Sequence, residues 1–228
     1  MFIIIKSKEK KQYVNFAHGG FTMEYKIKKI QSKADIDLCN EFEITNYKWR
    51  NVYTPKVVGK MGFIPGEGIF AKMTCFEENP LALKTQDRER VCDDSAMEIF
   101  LAFTEEGEDL SNDVMYINFE FNSNAKMYAK YGKGRKGRTF ISEELCKECG
   151  CTVTKDEKSW TASVLFPINF LEETCNAGKL DVGSQFYCNF YKISETPEIE
   201  HYGSFAPIGT ETPNFHVPVY FAKAIIVE

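Results

Sequence analysis

The chain has 228 residues, 43% of them hydrophobic and 27% charged, and a net charge of −5. That is globular composition, and the negative balance argues against general nucleic-acid binding. The length suits one large β domain, big enough to hold a core without disulfide or metal.

Residues 1–22 read differently from the rest of the chain. Lys6 to Lys11 is a charge run, and His18-Gly19-Gly20 is a loop signal. Gly19-Gly20-Phe21-Thr22 can be encoded by a sequence resembling a bacterial ribosome-binding site. The expectation is therefore a translated leader over 1–22 and a single domain over 23–228. The early apolar run Phe2 to Ile5 is far shorter than the roughly 20 residues needed to span a bilayer, and too short for a secretory apolar region. A cytoplasmic protein with no membrane partner is expected, its eight cysteines free thiols.

From Met23 onward the pattern is strand after strand. Apolar and polar residues alternate over 69–76, 96–103, 114–122, 160–166, 185–193 and 219–227, separated by Gly, Pro, Asn and Asp clusters. Two short helices are expected, one at 142–145 behind the Ser142 cap, the other at 168–174. Nineteen Phe and 11 Tyr against 2 Trp agree with strands. The fold class predicted is all-β: an antiparallel sandwich of immunoglobulin or jelly-roll type.

Successive strand side chains point to opposite faces. Met97, Ile99, Leu101 and Phe103 share one face of their strand, as do Met115, Ile117, Phe119 and Phe121, and Phe186, Cys188 and Phe190. Glu98, then Tyr116, Asn118, Glu120 and Asn122, then Tyr187, Asn189 and Tyr191 point the other way. An outer face carrying carboxylates, amides and phenols is suited to sugars, whose hydroxyls need placed polar partners and whose C–H faces need a ring. A solvated sheet face is polar anyway; three asparagines inside strands are less ordinary, because Asn is a poor strand former.

These stretches also resemble the family 9-like carbohydrate-binding modules, within the wider DOMON-like sandwich group. The resemblance lies in Asp94-Ser95-Ala96-Met97-Glu98-Ile99-Phe100, in Tyr116-Ile117-Asn118-Phe119-Glu120-Phe121-Asn122 and in the loop Gly134-Arg135-Lys136-Gly137-Arg138. It continues through Asn189-Phe190-Tyr191-Lys192, His201-Tyr202-Gly203-Ser204-Phe205 and Asn214-Phe215-His216-Val217-Pro218. It implies a β-sandwich that binds mono- or oligosaccharide between aromatic rings, without catalysis, as an accessory to bacterial polysaccharide catabolism. Phe205 stands where many relatives carry Trp. On this reading Tyr202, Phe205 and Trp49 stack on the sugar, and Glu98, Asn118, Glu120, Asn122 and Asn189 bond its hydroxyls. Arg135 or Arg138 closes the rim. Structural calcium occurs in some relatives; no other cofactor is expected.

Other constellations compete. Glu98 and Glu120 could form the carboxylate pair of a glycoside hydrolase, or the fold could serve as a protein-interaction scaffold. The six cations between Lys126 and Arg138, with no acid from Asn122 to Ser142, suit a solvated loop, a carboxylate or a polyanion. Cys146, Cys149 and Cys151 make half a zinc site without a second pair. Glu77, Glu78, Asp93 and Asp94 could offer calcium oxygen ligands or be loop acids. His201 and His216 lack a partner for haem ligation, and His216 reads as a satisfied core or turn histidine.

Overall fold

The computed structural model describes residues 23–228 except Glu106. The leader expected over 1–22 lies outside the described residues. The strands are β1 (Glu24–Lys29), β2 (Glu41–Ile44), β3 (Asn46–Tyr47), β4 (Lys56–Ile64), β5 (Gly68–Phe76), β6 (Ala96–Phe103) and β7 (Met115–Asn122). They continue with β8 (Met127–Lys133), β9 (Thr139–Phe140), β10 (Thr152–Lys155), β11 (Trp160–Pro167), β12 (Gln185–Ser194), β13 (His201–Ser204) and β14 (Ala222–Val227). The main path runs β10-β11-β5-β4-β1-β14-β12-β6-β7-β8-β9.

This sheet curls so that its two halves face each other across one core. Phe119 of β7 meets Phe166 of β11 with ring centroids 4.7 Å apart. Phe42 of β2 stacks on Phe190 of β12 at 3.6 Å. The oily faces marked by the alternation, Met97 to Phe103, Ile117 to Phe121 and Phe186 to Phe190, all enter this core.

Pairing is mixed rather than purely antiparallel. β1 runs parallel to both β14 and β4. The first strand slots between the last strand and β4 at the seam of the two halves. Alternation fixes which face a side chain takes but not strand direction, and the long chain between these partners permits the parallel arrangement.

Both expected helices form. Helix α1 (Glu143–Cys149) starts at Ser142, whose hydroxyl accepts from the Leu145 amide, and ends at left-handed Gly150. The second is a helical turn over Phe170–Thr174. Among the described residues no helix is long and apolar enough to cross a membrane.

The outer face of β6, β7 and β12 departs most from expectation. Alternation predicts a solvated face, yet Tyr116 and Tyr191 are fully buried. The chain after β13 folds over it, and Ile208, Phe215, Val217 and Phe221 join Phe100, Tyr116 and Tyr191 in a second apolar cluster. Tyr191 stacks on Phe215 at 4.1 Å. Only one part of the polar face stays open.

Candidate functional site

The opening is a cleft of about 140 Å³ over β6, β7 and β8, walled by Glu98, Glu120, Tyr128, Tyr202, Phe215 and Arg135. Register brings the carboxylates together: Glu98 pairs with Glu120 across β6 and β7, and Glu120 with Tyr128 across β7 and β8. A second depression of about 390 Å³ adjoins it and shares Tyr128, Arg135 and His216.

The two glutamates are held differently. Glu120 Oε1 accepts from Asn118 Nδ2 at 2.8 Å. Asn118 Oδ1 in turn accepts from Arg138 Nη2 at 2.7 Å. Glu98 is 2% exposed, and among the described residues its Oε2 has no hydrogen-bond partner. Burial pushes the Glu98 carboxyl well above its ordinary range, with Glu120 and then Glu195 adding to the rise. Burial likewise raises Glu120, against the Asn118 hydrogen bond. Two such groups across one strand pair do not both ionise readily.

The arginines divide. Arg138 is inlaid: its guanidinium donates to the carbonyls of Gly132 at 2.8 Å and Tyr116 at 2.9 Å as well as to Asn118. It lies 3.4 Å from the Tyr116 ring centroid. Burial lowers it to about 10. Its donors are therefore turned to holding the loop, and the exposed Arg135 is left as the rim cation.

Four predicted site residues lie elsewhere. Phe205 is 2% exposed in the main core, against Tyr25, Phe42 and Phe190; no sugar ring can lie on it. Asn189 is sealed and bonds the backbone of Ala206 through both ends of its amide. Asn122 donates to Asp94 and the Lys84 carbonyl, and accepts from the Asn124 and Lys126 amides, closing the turn before β8. These amides lie within strands because their side chains pair with groups of adjoining segments. Trp49 stands behind Tyr202, edge-on at 5.6 Å, with its indole N–H donated to Thr210. It braces the wall and faces a separate depression.

Sequence reasoning missed Tyr128, Glu195 and the ring of Phe215. Tyr128 was legible, since Tyr128 and Lys130 alternate with Met127 and Ala129 along β8. Glu195 and Phe215 were not, because a loop and the returning chain carry them. His216 is satisfied, as expected: its Nδ1 and the Tyr116 hydroxyl are 3.0 Å apart.

The acids considered as calcium ligands are engaged with protein groups or exposed. Glu77 takes Ser95, Tyr53, Trp160 and Lys192. Asp94 accepts from the Leu83 and Lys84 amides, Asp93 pairs with Lys84 and Arg90, and Glu78 is exposed. Among the described residues the one group with metal-ligand spacing is Cys92, Asp93 and Glu195, and Arg90 binds both its acids. Cys146, Cys149 and Cys151 are free thiols outside any such group.

The chain resembles a Bacteroides uniformis protein for which carbohydrate binding has been proposed, at 24% identity and TM-score 0.75, over 89% of this chain and 98% of that one. It also resembles a family 9 carbohydrate-binding module of Caldicellulosiruptor kristjanssonii, solved with cellotriose (8% identity, TM-score 0.61, 90% and 93% of the two chains). The same organism's family 9 module, solved with glucose, gives TM-score 0.60 at 8% identity, over 89% and 95% of the chains. None of the curated proteins matches. The family model for carbohydrate-binding family 9 matches residues 27–226, and the chain belongs to that family of non-catalytic carbohydrate-binding modules.

Proposed function

We propose that the Glu98–Glu120 cleft is where this protein binds sugar. One observation carries the reading: the buried, unpartnered Oε2 of Glu98 in an open cleft. A buried polar atom without a partner costs about 1–3 kcal/mol, a cost that a ligand hydroxyl would remove. Glu120 stands opposite, oriented by Asn118 and Arg138. Tyr128 and Tyr202 supply ring surface, and Arg135 closes the rim. The family and the glucose and cellotriose complexes of its structural neighbours support a mono- or oligosaccharide. Its place is as a binding accessory to glycan breakdown, with no bond-breaking step of its own.

Calorimetry with glucose and cellotriose tests this. Glu98→Leu removes the polar partner while keeping the apolar fit, and binding should weaken about tenfold, the worth of one buried hydrogen bond. Unchanged affinity in a folded Glu98→Leu protein would put the sugar elsewhere.

A further inference from the structure

The two adjoining depressions differ in charge. The inner one gathers Glu98, Glu120 and Glu195 together with Arg90, which pairs with Glu195 at 2.6 Å, and with Arg135 on the shared rim. The outer one, lined by Asn118, Tyr128, Lys130, Arg135, Arg138 and His216 among others, contains no acid. Among the described residues, neither Lys130 nor Arg135 forms an ion pair. The Lys130 ammonium instead lies 4.1 Å from the Phe140 ring centroid and 5.0 Å from that of Tyr128. Arg135 is exposed, and Arg138 adds a third positive charge from beneath, its own donors engaged. His216 adds no charge: burial first, then Arg138, Arg135 and Lys130, hold its imidazole down to about 3.

We infer that the ligand is an acidic oligosaccharide of at least two units, with a neutral unit against Glu98 and Glu120 and a neighbouring uronate whose carboxylate meets Arg135 and Lys130. This rests on the sugar reading above and specifies its substrate class. The charge layout also sets the orientation. A carboxylate against Glu98 and Glu120 would bring a third acidic group to a buried pair whose ionisation burial already disfavours. In the outer depression it meets a guanidinium fork and an ammonium lacking a protein counter-charge. A neutral chain would offer those cations hydroxyl oxygens but no counter-charge.

The test compares cellobiose with glucuronyl-β-1,4-glucose, which differs in one carboxylate, by calorimetry on the whole protein. The acidic disaccharide should bind about tenfold tighter in ~50 mM salt, and the advantage should shrink several-fold near 0.5 M salt as the charges are screened. Lys130→Met keeps the stem over the rings and removes the charge. It should cost the acidic disaccharide about threefold or more, as expected for one partly exposed ion pair, and leave cellobiose unchanged. Equal affinities of the native protein for the two disaccharides would overturn the acidic-ligand inference and leave the sugar site standing. No binding of either would overturn both. A single-stranded oligonucleotide binding as tightly as the uronate, with the same loss in Lys130→Met, would show a polyanion surface and overturn the inference as well.

Discussion

At the scale of single residues, Glu98 ties ligand chemistry to stability. Burial, Glu120 and Glu195 lift its carboxyl above the ordinary 4.5, with Lys192 opposing. The native protein then holds a proton that the unfolded chain has released. Stability is therefore greatest below the ordinary carboxylate range and falls as pH rises through the native value. Glu98→Gln, always neutral, should flatten that fall, leaving the variant more stable than the native protein near pH 8 and little changed near pH 4. Melting temperatures across that range check it, and parallel curves would show that Glu98 does not titrate upward. Arg138 gives a second residue-scale expectation. Its flat fork reaches carbonyls of both β7 and β8, and an ammonium cannot reproduce that geometry. Arg138→Lys should cost on the order of 2 kcal/mol in denaturant unfolding.

At the scale of elements, the β4–β5 hairpin shows how little room the fold leaves. Gly68 has φ +133°, and a Cβ there would lie 2.0 Å from the Phe166 carbonyl oxygen of β11. Gly68→Ala combines a disfavoured backbone conformation with a backbone clash, and should destabilise by roughly 3 kcal/mol or more. Urea midpoints measure this; a loss below ~1 kcal/mol would mean that β11 yields. Neighbouring Gly66 also has positive φ (78°), but a Cβ there would meet nothing within 4 Å. Gly66→Ala should therefore cost less, and the pair separates clash from conformation.

Across the whole molecule, one buried ion pair ties distant segments together. Lys192 of β12 is fully buried and faces Glu77, just past β5, at 3.5 Å. It also donates to Ser95 and lies 3.0 Å from His201 Nε2. Tyr53 and Trp160 donate to the same carboxylate at 2.6 and 2.7 Å. Burial alone would raise Glu77, but Lys192 and these donors hold it at about 2. Lys192→Met alone strands a buried carboxylate and should cost about 3–5 kcal/mol; adding Glu77→Gln should recover much of it. A double variant no more stable than the single one would show that the pair is not the binding element.

Strands β5, β6, β7, β11, β12 and β14, both short helices and the inward faces of β6, β7 and β12 were legible in the sequence, because alternation and turn residues record local geometry directly. So was the nearness of Glu98 and Glu120, carried on the same face of neighbouring strands. The parallel seam of β1, the burial of Phe205, Asn122 and Asn189, and the covering of Tyr116 and Tyr191 were decided only in three dimensions. Each depends on a segment far along the chain arriving at a particular place. A residue's own sequence neighbours determine which way it points, but not what comes to lie over it.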